Sequence, residues 1–234
     1  MPRTLTQAAV ENFRDRLRKI AAELFVETGY DGFNMRELAK RAGVSAMTPY
    51  RYFSDKAEIL ASVRTQAFAG LADKLDRARI LGASPAEKIA AVAFAYVEFA
   101  QQEQLYYRLM FDFSRPRSDS FPDLDLQESR VRSALGTLMR DLVGRGALEG
   151  EPGLMAQFLW SAMHGSVALN LAGHPRAVPP DEMVKEVLRL VLIGYRPDPA
   201  SASVQMDDDP EFSAQRSRRP RCEQADFAVL TAAE

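Results

Sequence analysis

The chain has 234 residues, of which 47% are hydrophobic and 26% charged, as is typical of a soluble globular protein of one or two domains. The net charge of −2 excludes a chain that is basic throughout. Residues 1–56 hold ten Lys and Arg against seven Asp and Glu, a balance of +3, whereas residues 57–196 balance to −1 and residues 197–234 to −4. The basic excess therefore lies in the first segment, where contacts to phosphates would need it.

Three features of the sequence concern location in the cell. The single cysteine, Cys222, excludes an internal disulfide and suits a reducing compartment. The N-terminal residues lack the apolar stretch of a signal peptide, and the longest apolar runs, such as residues 89–97, are too short to span a bilayer. We therefore expect a cytoplasmic protein with no membrane partner.

Hydrophobic residues recur with the 3.6-residue period of an amphipathic helix along most of the chain, and no alternating run bounded by turns predicts a strand. The predicted helices cover approximately residues 9–28, 35–42, 45–52, 56–81, 86–103, 104–113, 124–144, 151–172 and 180–195. Gly29 and Gly32 are expected to end the first helix. Asn34, followed three residues later by Glu37, predicts a reciprocal capping box at the start of the second.

The segment 35–58, MRELAKRAGVSAMTPYRYFSDKAE, has the layout of a helix-turn-helix DNA reader. Two short helices are joined by a turn at Gly43, and a further capping pair, Asp55 and Glu58, opens the next helix. Small side chains at the start of the second short helix permit close approach to a DNA groove, and hydroxyl, aromatic and basic side chains follow them. The candidate DNA-binding residues are Arg36, Ser45, Ala46, Met47, Thr48, Tyr50, Arg51, Tyr52 and Lys56.

Pro49 lies inside the expected recognition helix at 45–52, which Ser45 would cap. Proline lacks a backbone N–H and disfavours helical geometry at Thr48. We expect the helix to survive, started about one residue later. On the residues alone, the alternative that 35–58 is only a compact three-helix hairpin stays open.

The body of the protein is rich in aromatic residues between positions 86 and 113, and the helix at 89–100 is apolar on nearly all sides, so other helices must surround it. One interpretation is a pocket for a small apolar or aromatic ligand, oriented by tyrosine hydroxyls. The alternative is ordinary core packing. The candidate ligand-binding residues are Phe94, Tyr96, Phe99, Tyr106, Tyr107, Phe111, Trp160 and His164.

Trp160 and His164 are four residues apart and share one helix face. His164 could be a hydrogen-bonding group of a pocket, a metal ligand or a core histidine, but two histidines and one distant cysteine argue against a metal site. The sequence contains no Ser–His–Asp order, nucleophile elbow, P-loop or GxGxxG. We expect no metal, no cofactor and no enzymatic activity.

In the last two predicted helices, at 151–172 and 180–195, small and aliphatic residues recur at helical spacing. Such residues let helices approach closely, either within one subunit or in a two-fold, four-helix interface between two chains. The candidate dimer-interface residues are Ala162, Ser166, Leu169, Val187, Leu190 and Val191.

The run AAELFVETGYDGFNMRELAKRAGVSAMTPYRYFSDKAEIL resembles the DNA-binding domain of the tetracycline-repressor-like (TetR) family of transcriptional regulators over about residues 13–62. The resemblance implies a recognition helix at 45–52, a phosphate contact by Tyr50, a core position for Phe53 and a contact by Lys56. It also implies an effector pocket in the body, dimerisation and a repressor. The sequence departs from the family at Met47, where Gly is usual, and at Pro49, where an apolar residue such as Leu is usual, which affects the base preference rather than the fold.

The stretch FLWSAMHGSVALN at 158–170 also resembles a C-terminal subfamily named for a Trp–His–Gly pattern, matched by Trp160, His164 and Gly165. The predicted fold class is thus all-α, with an N-terminal three-helix helix-turn-helix domain joined to a larger C-terminal helical domain, about nine helices in all. The predicted domains are a DNA-binding domain at 1–56, an effector-binding and dimerisation domain at 57–196, and a mostly disordered tail at 197–234.

The predicted function is a ligand-responsive regulator that binds a pseudo-palindromic operator in double-stranded DNA as a homodimer. A repressor released by a small apolar or aromatic effector is the favoured form. Two alternatives come from other classes. One is a helical small-molecule carrier or enzyme whose helix-turn-helix is vestigial, and the other is an interaction protein that acts through its acidic tail.

Overall fold

All regular secondary structure in the computed structural model, which describes residues 6–111, 121–174 and 178–197, is helical. The elements in chain order are α1 (Gln7–Gly32), α2 (Met35–Arg41), a one-turn 3₁₀ helix (Pro49–Arg51), α3 (Lys56–Arg79), α4 (Pro85–Gln102), α5 (Gln104–Met110), α6 (Pro122–Gly144), α7 (Pro152–Leu171) and α8 (Pro180–Gly194). The predicted all-α fold is confirmed. The predicted tail lies outside the described residues from position 198 onward.

The first helix breaks at Gly29, as its sequence predicts. Gly29 has φ 70° and ψ 174°, a conformation that is strained for any residue with a side chain. Regular helix therefore ends there, and a short turn continues to Gly32. Asn34 then caps α2, since its side-chain oxygen accepts the N–H of Arg36 at 2.8 Å.

The reciprocal half of the first predicted capping box is wrong. The Glu37 carboxylate pairs with Lys40 at 3.6 Å and with Arg41 at 3.4 Å instead of returning to the backbone of the cap. Because α2 has only seven residues, two cations of its last turn lie within i+3 and i+4 reach of Glu37.

The second predicted capping pair is present at the start of α3. The Asp55 side chain accepts the N–H of Glu58 at 2.8 Å, and the Glu58 carboxylate accepts the N–H of Ser54 at 2.6 Å. Two backbone donors at the helix start are thereby satisfied, which fixes the direction in which α3 leaves the preceding loop.

The expected recognition helix at 45–52 is wrong as an α-helix. Residues 45–48 form a turn, in which the N–H of Thr48 donates to the carbonyl of Ser45 at 2.9 Å, and a 3₁₀ helix follows over Pro49–Arg51. Pro49 occupies its first position, where a missing N–H costs least, and its ring is buried. Because the ring of Pro49 disfavours helical geometry at Thr48 and removes an N–H, an α-helix does not extend across residues 45–52.

Two hydrophobic clusters form the interior. The first joins α1, α2, the residues around Phe53 and the start of α3. The second joins the rest of α3 with α4, α6, α7 and α8. Because α3 is one continuous helix, Ile59 and Val63 lie in the first cluster and Leu71 and Leu75 in the second.

The short helix α5 is a second connection between the clusters. Leu109 is buried in the first cluster, whereas Tyr107 belongs to the second. Outside the cores, the guanidinium of Arg130 on α6 pairs with Asp73 at 2.8 Å and Asp76 at 2.9 Å on α3. These half-exposed pairs contribute little to stability but orient α6 against α3.

Candidate nucleic-acid interface and cleft

The candidate DNA-binding residues form one surface, which comprises Arg36 on α2, residues 45–52 and Lys56. Arg36, Ser45, Ala46 and Arg51 are exposed, and Met47 and Tyr50 are 69% and 46% exposed. Thr48, Tyr52 and Lys56 are half-buried. Exposed large apolar side chains flanked by small and basic residues suit a DNA-binding surface, because DNA presents thymine methyl groups as well as hydrogen-bond acceptors.

Packing beneath this surface holds it in shape. Pro49 and Phe53 are buried, and the ring of Tyr52 lies 4.9 Å from that of Phe13 on α1. The hydroxyl oxygens of Ser45 and Thr48 are 2.8 Å apart. Tyr52 and Thr48 are thus partly committed to the fold, which leaves the flanking exposed side chains for a partner.

Tyr50 and Arg51 are the least committed residues of the surface. Their side chains make no hydrogen bond, ion pair or ring contact with any residue that the structure describes. The guanidinium of Arg51 and the hydroxyl of Tyr50 are therefore available for phosphate oxygens or base edges.

Lys56 is held by the end of α1. Its ammonium donates to the carbonyl of Tyr30 at 3.1 Å and lies 4.3 Å from the centre of the Tyr30 ring. One donor of the ammonium is therefore used, and two remain at the N-terminus of α3, where the helix dipole also favours an anion.

Arg41, in the same segment, belongs to the fold rather than to this surface. Its guanidinium donates to both carboxylate oxygens of Glu27, at 3.0 and 2.7 Å. This hydrogen bonding raises the pKa of Arg41 and lowers the pKa of Glu27. The free positive charge is thus contributed by Arg36, Arg51 and Lys56.

Three of the candidate ligand-binding residues form a hydrogen-bonded cluster in the body. The phenol oxygens of Tyr96 and Tyr107 are 2.8 Å apart, and His164 Nδ1 lies 3.2 Å from the first and 2.7 Å from the second. Tyr96 and Tyr107 are buried and His164 is half-buried. Helices α4, α5 and α7 each supply one member, so only the tertiary fold brings them together.

Aromatic rings enclose the imidazole. The ring of Trp160 stacks on His164 at 5.2 Å with an interplanar angle of 20°, and Phe111 meets His164 edge-on at 4.5 Å. The i, i+4 relation predicted for Trp160 and His164 is thus a direct contact. Such rings exclude water from one side of the imidazole and leave it a less polar environment.

Burial shifts the acid–base equilibria of this cluster toward the neutral forms. It lowers the pKa of His164 below its ordinary value, and it raises the pKa of Tyr96 and, more strongly, of Tyr107. For Tyr107, the neighbouring Tyr96 adds to the rise. All three groups are therefore uncharged at neutral pH.

The stability of the protein should fall in mild acid because of His164. With a pKa below its ordinary 6.5 in the folded state, the imidazole binds fewer protons than in the unfolded chain, so the free energy of unfolding decreases as the pH falls below about 6.5. The slope contributed by one group is at most about 1.4 kcal/mol per pH unit. Urea unfolding at pH 7.5 and 5.5 should show a smaller loss for His164→Gln than for the wild type; equal losses would contradict the assignment.

A cleft of about 610 Å³ lies beside this cluster, between the end of α1, α5 and α7. Its lining residues are Phe25, Val26, Gly29, Tyr107, Arg108, Leu109, Phe111, His164, Ala168, Leu171 and Ala172. The lining is mostly apolar, and Arg108 bridges two of its walls by donating to the carbonyl of Leu171 at 2.9 Å. A cleft of this size accommodates a small organic molecule.

The cleft contains some of the candidate ligand-binding residues and not others. Tyr107, Phe111 and His164 line it. Five others do not: Tyr96 and Trp160 contact His164 from behind, Phe94 and Phe99 pack in the second core cluster, and Tyr106 packs against both clusters. Sequence reasoning also missed the α1 wall at positions 25, 26 and 29, because the amphipathic pattern of α1 assigns its apolar residues to the core.

The candidate dimer residues divide between two faces of α7 and α8. Ser166, Val187 and Val191 are buried within the protomer. Leu169 and Leu190 are exposed, and Ala162 is half-buried. The exposed large apolar residues of α7 and α8 are Leu154, Phe158, Leu169, Leu190 and Ile193.

Within the described ranges, no group of three or more His, Cys, Asp and Glu side chains is placed to hold a metal ion. Nor is any helix in those ranges long and apolar enough to cross a membrane.

Two family models match the chain. A model described as the tetracyclin repressor-like C-terminal domain matches residues 89–191, and one described as bacterial regulatory proteins of the tetR family matches residues 17–63. The second match contains the turn at Gly43 and the exposed surface, and the first contains the cleft residues of α5 and α7.

The chain is also similar to individual proteins. It is 31% identical over 99 residues to the transcriptional activator FasR of Mycolicibacterium smegmatis, covering 42% of this chain and 45% of FasR. It is 27% identical over 139 residues to the transcriptional repressor KstR of the same organism, covering 59% of this chain and 65% of KstR. The matches thus span less than two thirds of either relative.

Among solved structures, the transcriptional regulator FadR from Bacillus subtilis, in complex with stearoyl-CoA, has the same fold. It aligns with a TM-score of 0.67 at 17% identity and covers 78% of this chain and 99% of that chain. At this identity the likeness concerns the fold alone.

Proposed function

The chain belongs to the tetracycline-repressor-like family of transcriptional regulators, and from that premise we propose that it is a ligand-responsive DNA-binding regulator. The observation that carries the proposal is the exposed surface at 45–52, where Tyr50 and Arg51 extend into water without a partner among the described residues. A supporting observation is that α3 starts at this surface and continues into the body.

The surface at 45–52 would lie in the major groove of duplex DNA. Arg51 and Arg36 bind phosphates or guanine edges, Met47 and Ala46 contact thymine methyl groups, and Tyr50 binds a phosphate oxygen. Because the recognition segment is a turn with a single 3₁₀ turn, it presents fewer base-reading positions than a full helix would. We expect a larger share of the affinity to come from phosphate contacts, and hence a strong dependence on salt.

The protein would act as a homodimer through α7 and α8. The exposed side chains of Leu154, Phe158, Leu169, Leu190 and Ile193 support this interface, since contiguous apolar surface on a soluble protein marks an interaction site. A Cβ added at Gly165 would meet no atom within 4 Å, so the middle of α7 is open to a close neighbour. A two-fold axis there sets two reading surfaces about 34–36 Å apart, one helical turn of DNA.

An effector in the body would release the DNA. It has to bind the conformation that is unfit for DNA more tightly than the one that is fit, by the factor by which it weakens DNA binding. We propose repression as the direction of control and a small apolar or aromatic molecule as the effector. The functional division between the DNA-binding and effector domains then falls near the start of α3, at position 56, and the site of action is the cytoplasm.

Selection from a random-sequence duplex pool tests the proposal. Full-length protein should enrich a pseudo-palindrome whose half-sites are about one helical turn apart, and the binding should weaken steeply with added salt. A helical carrier or enzyme with a vestigial helix-turn-helix would retain no duplex even at low salt, and that result would overturn the assignment.

A further inference from the structure

We propose that the cleft between α1, α5 and α7 binds an apolar small molecule that carries a hydrogen-bond acceptor. We further propose that this molecule acts on the DNA-binding helices directly through the end of α1. The inference rests on the proposed function for its effect on DNA, but the binding itself does not depend on DNA.

The two tyrosine hydroxyls beside His164 determine its tautomer. If Nδ1 is an acceptor, Tyr107 donates to it at 2.7 Å and Tyr96 donates to Tyr107 at 2.8 Å, so both buried hydroxyls are paired. If Nδ1 carried the proton, one of the two phenol hydrogens would have no acceptor within the cluster. A buried unpaired donor is costly, so the proton lies on Nε2.

The Nε2–H group of His164 remains available to a ligand. No described residue accepts a hydrogen bond from His164 Nε2, and His164 lines the cleft. The hydroxyl of Tyr107 is already committed to Nδ1, and most of the remaining lining is hydrocarbon or phenyl ring. The cleft therefore combines the Nε2–H donor of His164 with a mostly apolar lining, in which the exposed Arg108 is the charged member and donates to the carbonyl of Leu171. This combination favours an apolar molecule with a carbonyl or ether oxygen.

Helix α1 supplies one wall of the cleft. Val26 is 40% exposed and lines the cleft together with Phe25 and Gly29, just before the break in α1. The opposite wall is α7, with Ala168 and Leu171. A molecule between these walls touches a helix of the DNA-binding domain itself, and not only the body.

Direct contacts connect the α1 wall of the cleft to the DNA-binding surface. The rings of Phe25 and Tyr30 lie nearly parallel, with centres 6.2 Å apart. The carbonyl of Tyr30 holds the ammonium of Lys56 at 3.1 Å, and Lys56 is the first residue of α3. Displacing the wall at positions 25–29 would therefore move both the Lys56 ammonium and the entry of α3, which alters the surface that meets DNA.

A matched pair of probes tests the acceptor. Benzophenone and diphenylmethane have nearly the same shape, but a carbonyl replaces a CH₂ group. Equilibrium dialysis in the dark should show about fivefold to tenfold tighter binding of benzophenone to the wild type, as one hydrogen bond is worth. His164→Phe should remove this preference, and His164→Gln, which keeps an N–H near the position of Nε2, should retain it. Equal binding of both probes to the wild type would overturn the ligand class.

The same probe tests the place. Irradiated benzophenone inserts into neighbouring C–H bonds, so mass spectrometry should find adducts on peptides from both residues 25–29 and residues 164–172. Adducts confined to other helices, such as the segment around Phe94, would overturn the site.

Fluorescence anisotropy with the selected duplex tests the coupling. Saturating benzophenone should weaken DNA binding by the wild type several-fold. Tyr30→Ala should bind benzophenone equally well, because Tyr30 does not line the cleft. It removes the ring that meets Phe25 and Lys56 but keeps the backbone carbonyl, so the response of its DNA affinity should be clearly smaller than that of the wild type. A response equal to that of the wild type would refute the route through Tyr30. If no variant binds DNA, the proposed function fails while the dialysis and adduct results still decide the ligand site.

Discussion

Replacing Tyr50 and Arg51 together by alanine should weaken binding to the selected duplex by at least about a hundredfold, since each lost contact to DNA costs about 1–3 kcal/mol and a dimer loses both pairs. The slope of log affinity against log salt should become shallower by about two, because two Arg51 guanidinium groups no longer displace counterions. Anisotropy titrations at three or more salt concentrations measure both quantities.

The fold should survive this double replacement, because neither side chain makes a hydrogen bond, ion pair or ring contact with another described residue and both are exposed. A matched control is Arg132→Ala on α6, which removes the same charge from a side chain that is 68% exposed and far from residues 45–52 in sequence. The control should keep the wild-type affinity and salt slope. If the control and the double variant lose affinity equally, the reading surface lies elsewhere.

Phe158→Glu combined with Leu190→Glu should convert the dimer to a monomer and lower the affinity for the full palindrome by about a thousandfold. Both residues are about 45% exposed on the proposed interface, at 44% and 45%, and burying an unpaired carboxylate there is strongly unfavourable. A monomer loses the millimolar effective concentration that a linked second reader has for its half-site. Sedimentation velocity measures the association state, and anisotropy measures the affinity.

Leu126→Glu is the control for charge and polarity, because Leu126 on α6 is exposed to a similar degree but lies outside α7 and α8. It should remain dimeric and bind DNA as the wild type does. A double variant that still sediments as a dimer would place the interface on another surface.

Local signals in the sequence predicted the helices and several of their ends. Asp55 and Glu58 mark the start of α3, and Gly29 marks the break in α1, because caps and left-handed glycines depend on neighbours within four residues. The segment at 45–52 was harder for the same reason. Pro49 and Gly43 compete with the helical pattern, and the balance between them gives a turn and one 3₁₀ turn.

Hydrophobic periodicity could not predict which helix face meets the core of the protomer, or which residues of different helices contact one another. Helix α8 has apolar residues on two faces, and its sequence does not tell which face meets its own protomer: Val187 and Val191 do, whereas Leu190 and Ile193 do not. Likewise, the residues of the Tyr96, Tyr107 and His164 cluster come from three helices, so their contacts exist only after those helices pack. Sequence reasoning identified the residue types but not the cleft beside them.

Trp160 is the only tryptophan in the chain, and its indole lies flat against the imidazole of His164. With excitation at a wavelength that indole absorbs and phenol does not, the emission of the intact protein therefore originates from one position, without a label. An imidazole that gains a proton quenches a stacked indole more strongly than a neutral one does. The fluorescence of Trp160 thus reports both the protonation of His164 and the occupancy of the neighbouring cleft.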